Sequence, residues 1–101
     1  MLSKTIVAGI IAFVPFAVLA QSGDGAGRSL AATCANCHGT EGRSTTPEVA
    51  PLAGLPKEHI VSQMKAFKEG TRPSTVMQQL AKGYTDRQIE SLAAYLAAQR
   101  K

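Results

Sequence analysis

Residues 34–38 read CANCH, a C-x-x-C-H pattern around which the rest of the chain is expected to fold. This spacing is typical of the attachment site of a c-type haem. The thiols of Cys34 and Cys37 can add to the two vinyl groups of the porphyrin, because two intervening residues make a helical turn that brings both sulfurs to one edge of the ring. The imidazole of His38 then lies under the iron as its proximal ligand. The pattern therefore predicts one covalently bound haem c.

Two other kinds of site use a C-x-x-C pair. A structural zinc site needs a second pair of cysteine or histidine ligands, but the chain has only two cysteines, and its only other histidine, His59, stands alone. A thioredoxin-like redox pair begins a helix after a strand, within a β-α-β unit, and no strand pattern precedes Cys34. Haem attachment is the preferred interpretation, with zinc or a disulfide as the alternatives.

The first 20 residues have the composition of a secretory signal peptide. Lys4 precedes an apolar run at 6–19, which Pro15 interrupts and which is short for a membrane span, and the run ends at a small-residue cleavage site at Ala20. We interpret residues 1–20 as a signal peptide, with an uncleaved anchor as the alternative. In proteins that carry a c-type haem, the haem is attached outside the cytoplasmic membrane. Export therefore implies a periplasmic location, with no stable membrane span after cleavage.

The composition of the chain limits its partners. The 101 residues contain 11 Lys and Arg against 7 Asp and Glu, and there is no tryptophan. The basic residues are scattered and are not interleaved with aromatic ones, which argues against nucleic-acid binding, while the mild positive charge favours acidic protein partners. A domain this small buries little apolar surface, so a haem would supply much of its core.

After the signal peptide, we expect a flexible Gly-rich lead-in at 21–26 and one all-α domain at 27–101. Four helical segments are predicted: one at 27–37 that runs into the haem motif, one that opens at Pro56 and stops at Gly70, a short one at 76–81, and a last one capped by Thr85.

Hydrophobic periodicity assigns the buried faces of the two longest helices. Ile60, Met64 and Phe67 recur at i, i+4 and i+7, which predicts one buried stripe. Thr85 and Gln88 have the spacing of a capping box, in which each side chain bonds the other's amide. The last helix carries apolar residues at i, i+3, i+4 and i+7: Ile89, Leu92, Ala93 and Leu96.

The sixth ligand of the iron has three candidates. Met64 lies on a buried stripe and is expected to fill the core, and His59 lies outside that stripe. Met77 follows a proline-containing loop, far enough after His38 for the chain to return to the opposite face of the ring. This position leads us to choose Met77. A His/Met pair would raise the reduction potential relative to two histidines. An open sixth position would instead indicate a haem enzyme or a gas sensor.

The loop at 44–54, STTPEVAPLAG, is expected to wrap over the haem edge. A ligating histidine usually donates its other ring N–H to a carbonyl, which fixes the ring and raises its basicity. We expect the carbonyl of Pro51 to accept this bond from His38. The alternative is a simple turn proline.

These features together resemble the class I c-type cytochromes. The resemblance extends from about Gly27 to the end of the chain and rests on Cys37-His38-Gly39, Pro51-Leu52, Gly54, Met77 and a final helix that contains Tyr95. It implies the small cytochrome c fold, with helices wrapped around one covalent haem. In that family the first and last helices cross near a small residue and an aromatic, here Ala26 or Gly27 against Tyr95, and a proline carbonyl bonds the haem histidine.

A narrower resemblance gives a function. The runs MKAFKEGTRPSTVM at 64–77 and AKGYTD at 81–86 are similar to the small monohaem cytochrome subunit of flavocytochrome c sulfide dehydrogenase, and cytochromes of the c4 and c-553 type share much of this pattern. In that family the methionine matching Met77 is the distal ligand, and a flavoprotein subunit oxidises sulfide. The resemblance implies an electron-transfer protein, not an enzyme by itself, that accepts electrons from such a flavoprotein. The alternative is a free mobile carrier that serves a terminal oxidase.

Overall fold

The computed structural model describes residues 3, 5, 8–15 and 24–101. Its helices, in chain order, are α1 (Asp24–Ala32), α2 (Ala35–His38), a 3-10 turn (Thr40–Gly42), α3 (Lys57–Glu69), α4 (Met77–Ala81) and α5 (Asp86–Ala97). The described residues contain no strand, and the prediction of an all-α fold is confirmed. Within these ranges, no helix is long and apolar enough to cross a membrane. The predicted cleavage site at Ala20 lies outside the described residues.

The first helix differs from its predicted bounds. It begins at Asp24, earlier than expected, so the end of the predicted flexible lead-in is helical. It also stops before the haem motif instead of running through it. The Thr33 hydroxyl donates to the Leu30 carbonyl at 3.1 Å. The amide of Cys34 donates to the carbonyl of Ala31 at 3.0 Å, so a tighter i→i−3 turn separates α1 from α2.

Helices α1 and α5 pack against each other at Gly27, which is buried. A Cβ atom placed on Gly27 would lie 2.5 Å from the backbone oxygen of Ser91 and 3.2 Å from the Cβ of Tyr95. Only glycine allows two backbones to approach this closely. Of the two small residues expected to meet Tyr95, Gly27 makes the contact, and Ala26 is exposed.

The core lies between α1, α3 and α5, with α4 closing one end. Both predicted stripes are confirmed, since Ile60 and Met64 are buried and Phe67 packs against the same cluster. The cluster consists of Ala31, Ile60, Met64, Ala81, Ile89, Leu92, Ala93 and Leu96. The four residues from α5 are each at most 1% exposed, as the i, i+3, i+4, i+7 spacing predicts.

Two helix ends are fixed as predicted. The Gln88 amide donates to Thr85 Oγ1 at 3.1 Å, and the Thr85 amide donates to Gln88 Oε1 at 2.9 Å, which completes the capping box. Helix α3 ends at Gly70, whose φ of 79° is left-handed.

The loop that precedes α3 is tied to the rest of the molecule by backbone hydrogen bonds. The amides of Leu52 and Ala53 donate to the carbonyl of Gly42 at 2.8 and 3.1 Å. The amide of Gly54 donates to the carbonyl of Leu96, at the end of α5, at 2.9 Å. These bonds hold the loop beside the turn that follows His38.

Candidate functional site

Helix α2 presents the two thiols of the C-x-x-C-H motif. Cys34 caps the helix and Cys37 lies within it, and the amides of Cys37 and His38 both donate to the Cys34 carbonyl, at 3.2 and 2.9 Å. Residues three apart on such a turn lie on one side of the helix. Both cysteines are free, Cys34 half-buried and Cys37 exposed. This arrangement fits two thioether bonds to one porphyrin edge.

The two thiols have different surroundings. Burial raises the pKa of the Cys34 thiol above its ordinary value. Because the thiol form is favoured, this half-buried sulfur behaves at neutral pH as a small apolar group.

The imidazole of His38 is held by the loop after the 3-10 turn. Its Nδ1 lies 2.6 Å from the carbonyl oxygen of Ala50. A carbonyl oxygen can only accept, so Nδ1 carries a proton, and in the neutral imidazole the lone pair is then on Nε2. This is the tautomer that a proximal iron ligand needs.

The structure corrects the predicted acceptor by one residue, since the carbonyl that meets His38 belongs to Ala50 and not to Pro51. The reason lies in the backbone bonds of Leu52 and Ala53 to Gly42, which fix the chain just after the proline. The peptide before Pro51 is then the one that faces the ring. Proline disfavours the helical conformation for the residue before it, so Pro51 disfavours a helical turn at Ala50. The X-Pro pair in the sequence could have pointed to this carbonyl.

The three candidates for the sixth ligand lie in different surroundings. Met64 is inside the core, 6% exposed. His59 is exposed on α3. Met77 is the first residue of α4, and it is half-buried at the margin of the core cluster. Of the three side chains, Met77 is the one that is both free of the core interior and bordered by apolar residues.

The apolar surface near Met77 fits a large apolar group. Val76 and Leu80 flank this residue and are 55% and 50% exposed, more than any other large apolar side chain in the range 24–101. Burial of these two side chains under an apolar group would be favourable. The half-buried thiol of Cys34 and the free Nε2 of His38 supply the covalent and metal-binding groups, so the residues present fit a c-type haem.

The rival sites are not supported by the structure. In the part of the chain that it describes, no three Cys, His, Asp or Glu residues come together to hold a metal ion. The C-x-x-C pair follows a helix and not a strand. A groove of about 650 Å³ lies between α1 and α5, but it is lined by residues such as Arg28, Glu90 and Tyr95 and by none of the predicted ligands.

The known proteins that this chain resembles include several cytochromes. The family model described as cytochrome C oxidase, cbb3-type, subunit III matches residues 23–96. The cytochrome subunit of sulfide dehydrogenase from Chlorobaculum tepidum is 42% identical over 69 residues, which cover 68% of this chain and 62% of that protein. Cytochrome c4 of Pseudomonas aeruginosa is 36% identical over 74% of this chain and 37% of its own length. The chain thus spans less than two thirds of either relative.

A shorter relative and two solved structures also match this chain. Cytochrome c-554(548) of Halomonas halodenitrificans is 34% identical over 73% of this chain and 93% of its own length. The structure of Acidithiobacillus ferrooxidans cytochrome c4 matches with a TM-score of 0.71 and 32% identity, over 76% of this chain and 49% of that one. Thiosulfate dehydrogenase TsdBA of Marichromatium purpuratum matches with a TM-score of 0.73 and 29% identity, over 80% of this chain and 20% of that one.

Proposed function

Because this chain belongs to the c-type cytochrome family described as cytochrome C oxidase, cbb3-type, subunit III, we propose that it transfers electrons through one haem c with His38 and Met77 as axial ligands. Electron transfer and a covalent haem are properties of the family. The observation that carries the assignment of residues is the geometry of α2, where two free thiols and an oriented imidazole share one turn.

A bound haem c supplies a redox centre that takes up and releases one electron. Cys34 and Cys37 hold the group, which keeps it in place without relying on axial ligation. The bond from Nδ1 of His38 to the Ala50 carbonyl increases the electron density on Nε2. Met77 is proposed as the opposite ligand, since a thioether favours the reduced iron and raises the potential. The chain is proposed to carry electrons and to catalyse no bond chemistry by itself.

The partner is proposed to be a flavoprotein sulfide dehydrogenase subunit in the periplasm, and residues 1–20 are proposed to be the cleaved signal peptide. One relative is the cytochrome subunit of a sulfide dehydrogenase, and another, from Thiomonas intermedia, is a thiosulfate dehydrogenase electron acceptor, 38% identical over 66 residues. The mild positive charge suits an acidic docking face.

A free mobile carrier is the second candidate. The observation that favours it is the match to cytochrome c-554(548), of which this chain covers 93%. Purification from native periplasm separates the two. A subunit elutes with a flavoprotein at fixed stoichiometry, and a carrier elutes alone. Recovery of the haem protein only as a monomer would contradict the subunit proposal.

The ligand assignment has a spectroscopic test. Oxidised protein should show the weak far-red absorption band that marks methionine bound to ferric haem, and Met77→Ala should abolish it. Met64→Ala is the matched control and should keep the band, although it weakens the core. A band that survives in Met77→Ala would contradict the assignment, and its absence from the wild type would favour an enzyme or gas sensor.

A further inference from the structure

The segment between α3 and α4 is tied down at its first residues by Arg72. The guanidinium carbon of Arg72 lies 4.7 Å from the centre of the Phe67 ring, and the same group donates to the side-chain oxygen of Gln63. Phe67 and Gln63 are one turn apart on α3, so the guanidinium lies along that helix. A cation over an aromatic face is attractive even at exposed sites. The amides of Thr71 and Arg72 also both donate to the Ala66 carbonyl, at 2.9 and 3.2 Å.

A second contact fixes the other end of the segment. Val76 occupies the N-cap position of α4, and its side chain cannot accept a hydrogen bond. Ser74 takes over this role, since its Oγ accepts from the amide of Gln78 at 2.8 Å. Gln78 directly follows Met77, so this bond sets the first turn of α4 and with it the backbone from which the Met77 side chain extends.

We propose that Arg72 and Ser74 are positioning residues that hold the segment 71–76 closed, and so determine how readily Met77 gives way to another ligand of the iron. This inference rests on the proposed function, in which Met77 is an axial ligand. The two tethers act independently, one by stacking on α3 and the other by capping α4. Neither side chain is itself a ligand.

Opening of the segment 71–76 should change the apparent affinity of the iron for a small external ligand. A small external ligand such as imidazole binds ferric iron only in molecules whose methionine has left, so its apparent affinity is proportional to the population of the open segment. Loss of a helix cap commonly changes an equilibrium about fivefold. Loss of an exposed cation–aromatic contact changes it about two- to fivefold.

The test is titration of the oxidised holoprotein with imidazole, followed by absorption spectroscopy. Ser74→Ala should bind imidazole about fivefold more tightly than the wild type. Arg72→Lys should bind it about two- to fivefold more tightly, because lysine keeps the charge but loses both the planar stack on Phe67 and the guanidinium bond to Gln63. Both variants should keep the far-red band before imidazole is added.

Two controls separate the tethers from general effects. Thr75→Ala removes a hydroxyl from the same segment that bonds to no residue within the described ranges, and Arg87→Lys makes the same exchange on the exposed face of α5. Both should bind imidazole like the wild type. Equal affinity in Ser74→Ala, Arg72→Lys and the controls would overturn the proposal, and so would loss of helix content in either tether variant.

The result is distinguishable from a failure of the proposed function. If the wild type lacks the far-red band, or Met77→Ala keeps it, the ligand assignment is wrong and the proposal falls with it. If the band behaves as expected and imidazole affinity does not change in the tether variants, the tethers alone are disproved.

Discussion

At the scale of single residues, the atom that carries the proton decides whether a side chain donates a hydrogen bond or offers a lone pair. The carbonyl of Ala50 keeps a proton on Nδ1 of His38 and frees Nε2 for a metal. The same argument assigns the proton between Thr33 and Tyr84, whose hydroxyl oxygens are 2.7 Å apart. Because Thr33 already donates its only proton to the Leu30 carbonyl, Tyr84 is the donor. This bond connects the turn before α5 to the residue that precedes the haem motif.

Removal of the Tyr84 hydroxyl is therefore predicted to destabilise the protein. Tyr84→Phe should lower the free energy of unfolding by about 0.5–1.5 kcal/mol, the usual net value of such a bond. The measurement is urea unfolding of the holoprotein, followed by circular dichroism. Tyr95→Phe is the control, since the Tyr95 hydroxyl bonds to no residue that the structure describes. Equal losses in the two variants would contradict the assigned bond.

At the scale of the elements, tertiary packing outweighs local propensity. Helix α1 forms although two of its nine residues are glycine, a poor helix former. The closeness of α5 explains one of them, since no larger residue fits at Gly27. Gly25 has no such neighbour, and nothing lies within 4 Å of the Cβ it lacks. Packing therefore explains Gly27 and gives no reason for a glycine at position 25.

This contrast gives a matched pair of substitutions. Gly27→Ala should destabilise the protein by about 1–3 kcal/mol, because the new methyl group meets the backbone of Ser91 and cannot be relieved by a side-chain rotation. Gly25→Ala should be neutral or stabilise the helix by up to about 1 kcal/mol. Urea unfolding of both holoproteins checks the signs. A destabilised Gly25→Ala with an unaffected Gly27→Ala would contradict the α1–α5 contact.

At the scale of the whole molecule, the protein core is small. Among the residues that the structure describes, nine hydrophobic ones are buried, and four of these are alanines. The largest fully buried side chains in the same ranges are Ile89, Leu92 and Leu96, all from α5. A single core of this size leaves little margin over the conformational entropy that folding costs. We therefore expect the covalent haem to complete the core.

The corresponding prediction concerns the chain that cannot bind haem covalently. Replacement of both Cys34 and Cys37 by alanine should yield a chain with no added haem mass, less helix and a lower urea midpoint than the wild type. Circular dichroism and intact-mass spectrometry make the comparison. The wild type, expressed in a host that attaches haem, should have the mass of the polypeptide plus one haem. Equal stability of the two proteins would show that the side chains suffice.

The local features of this protein follow from its sequence alone. The C-x-x-C-H motif, the buried stripes of α3 and α5, the left-handed stop at Gly70 and the Thr85 capping box are all set by residues a few positions apart. Such signals depend on one turn of backbone, and the sequence displays them directly. The family supplies the haem, and Met77 as its second axial ligand stays a prediction from the sequence.

Other features depended on segments far apart in the chain. The acceptor for His38 proved to be Ala50 because backbone bonds from Leu52 and Ala53 to Gly42 fix the loop, and no local pattern shows where a carbonyl will point. The choice of Gly27 as the helix contact was decided by the position of Ser91 on another helix. Tertiary structure decided these points, because each depends on the distance between segments that only packing of the whole domain brings together.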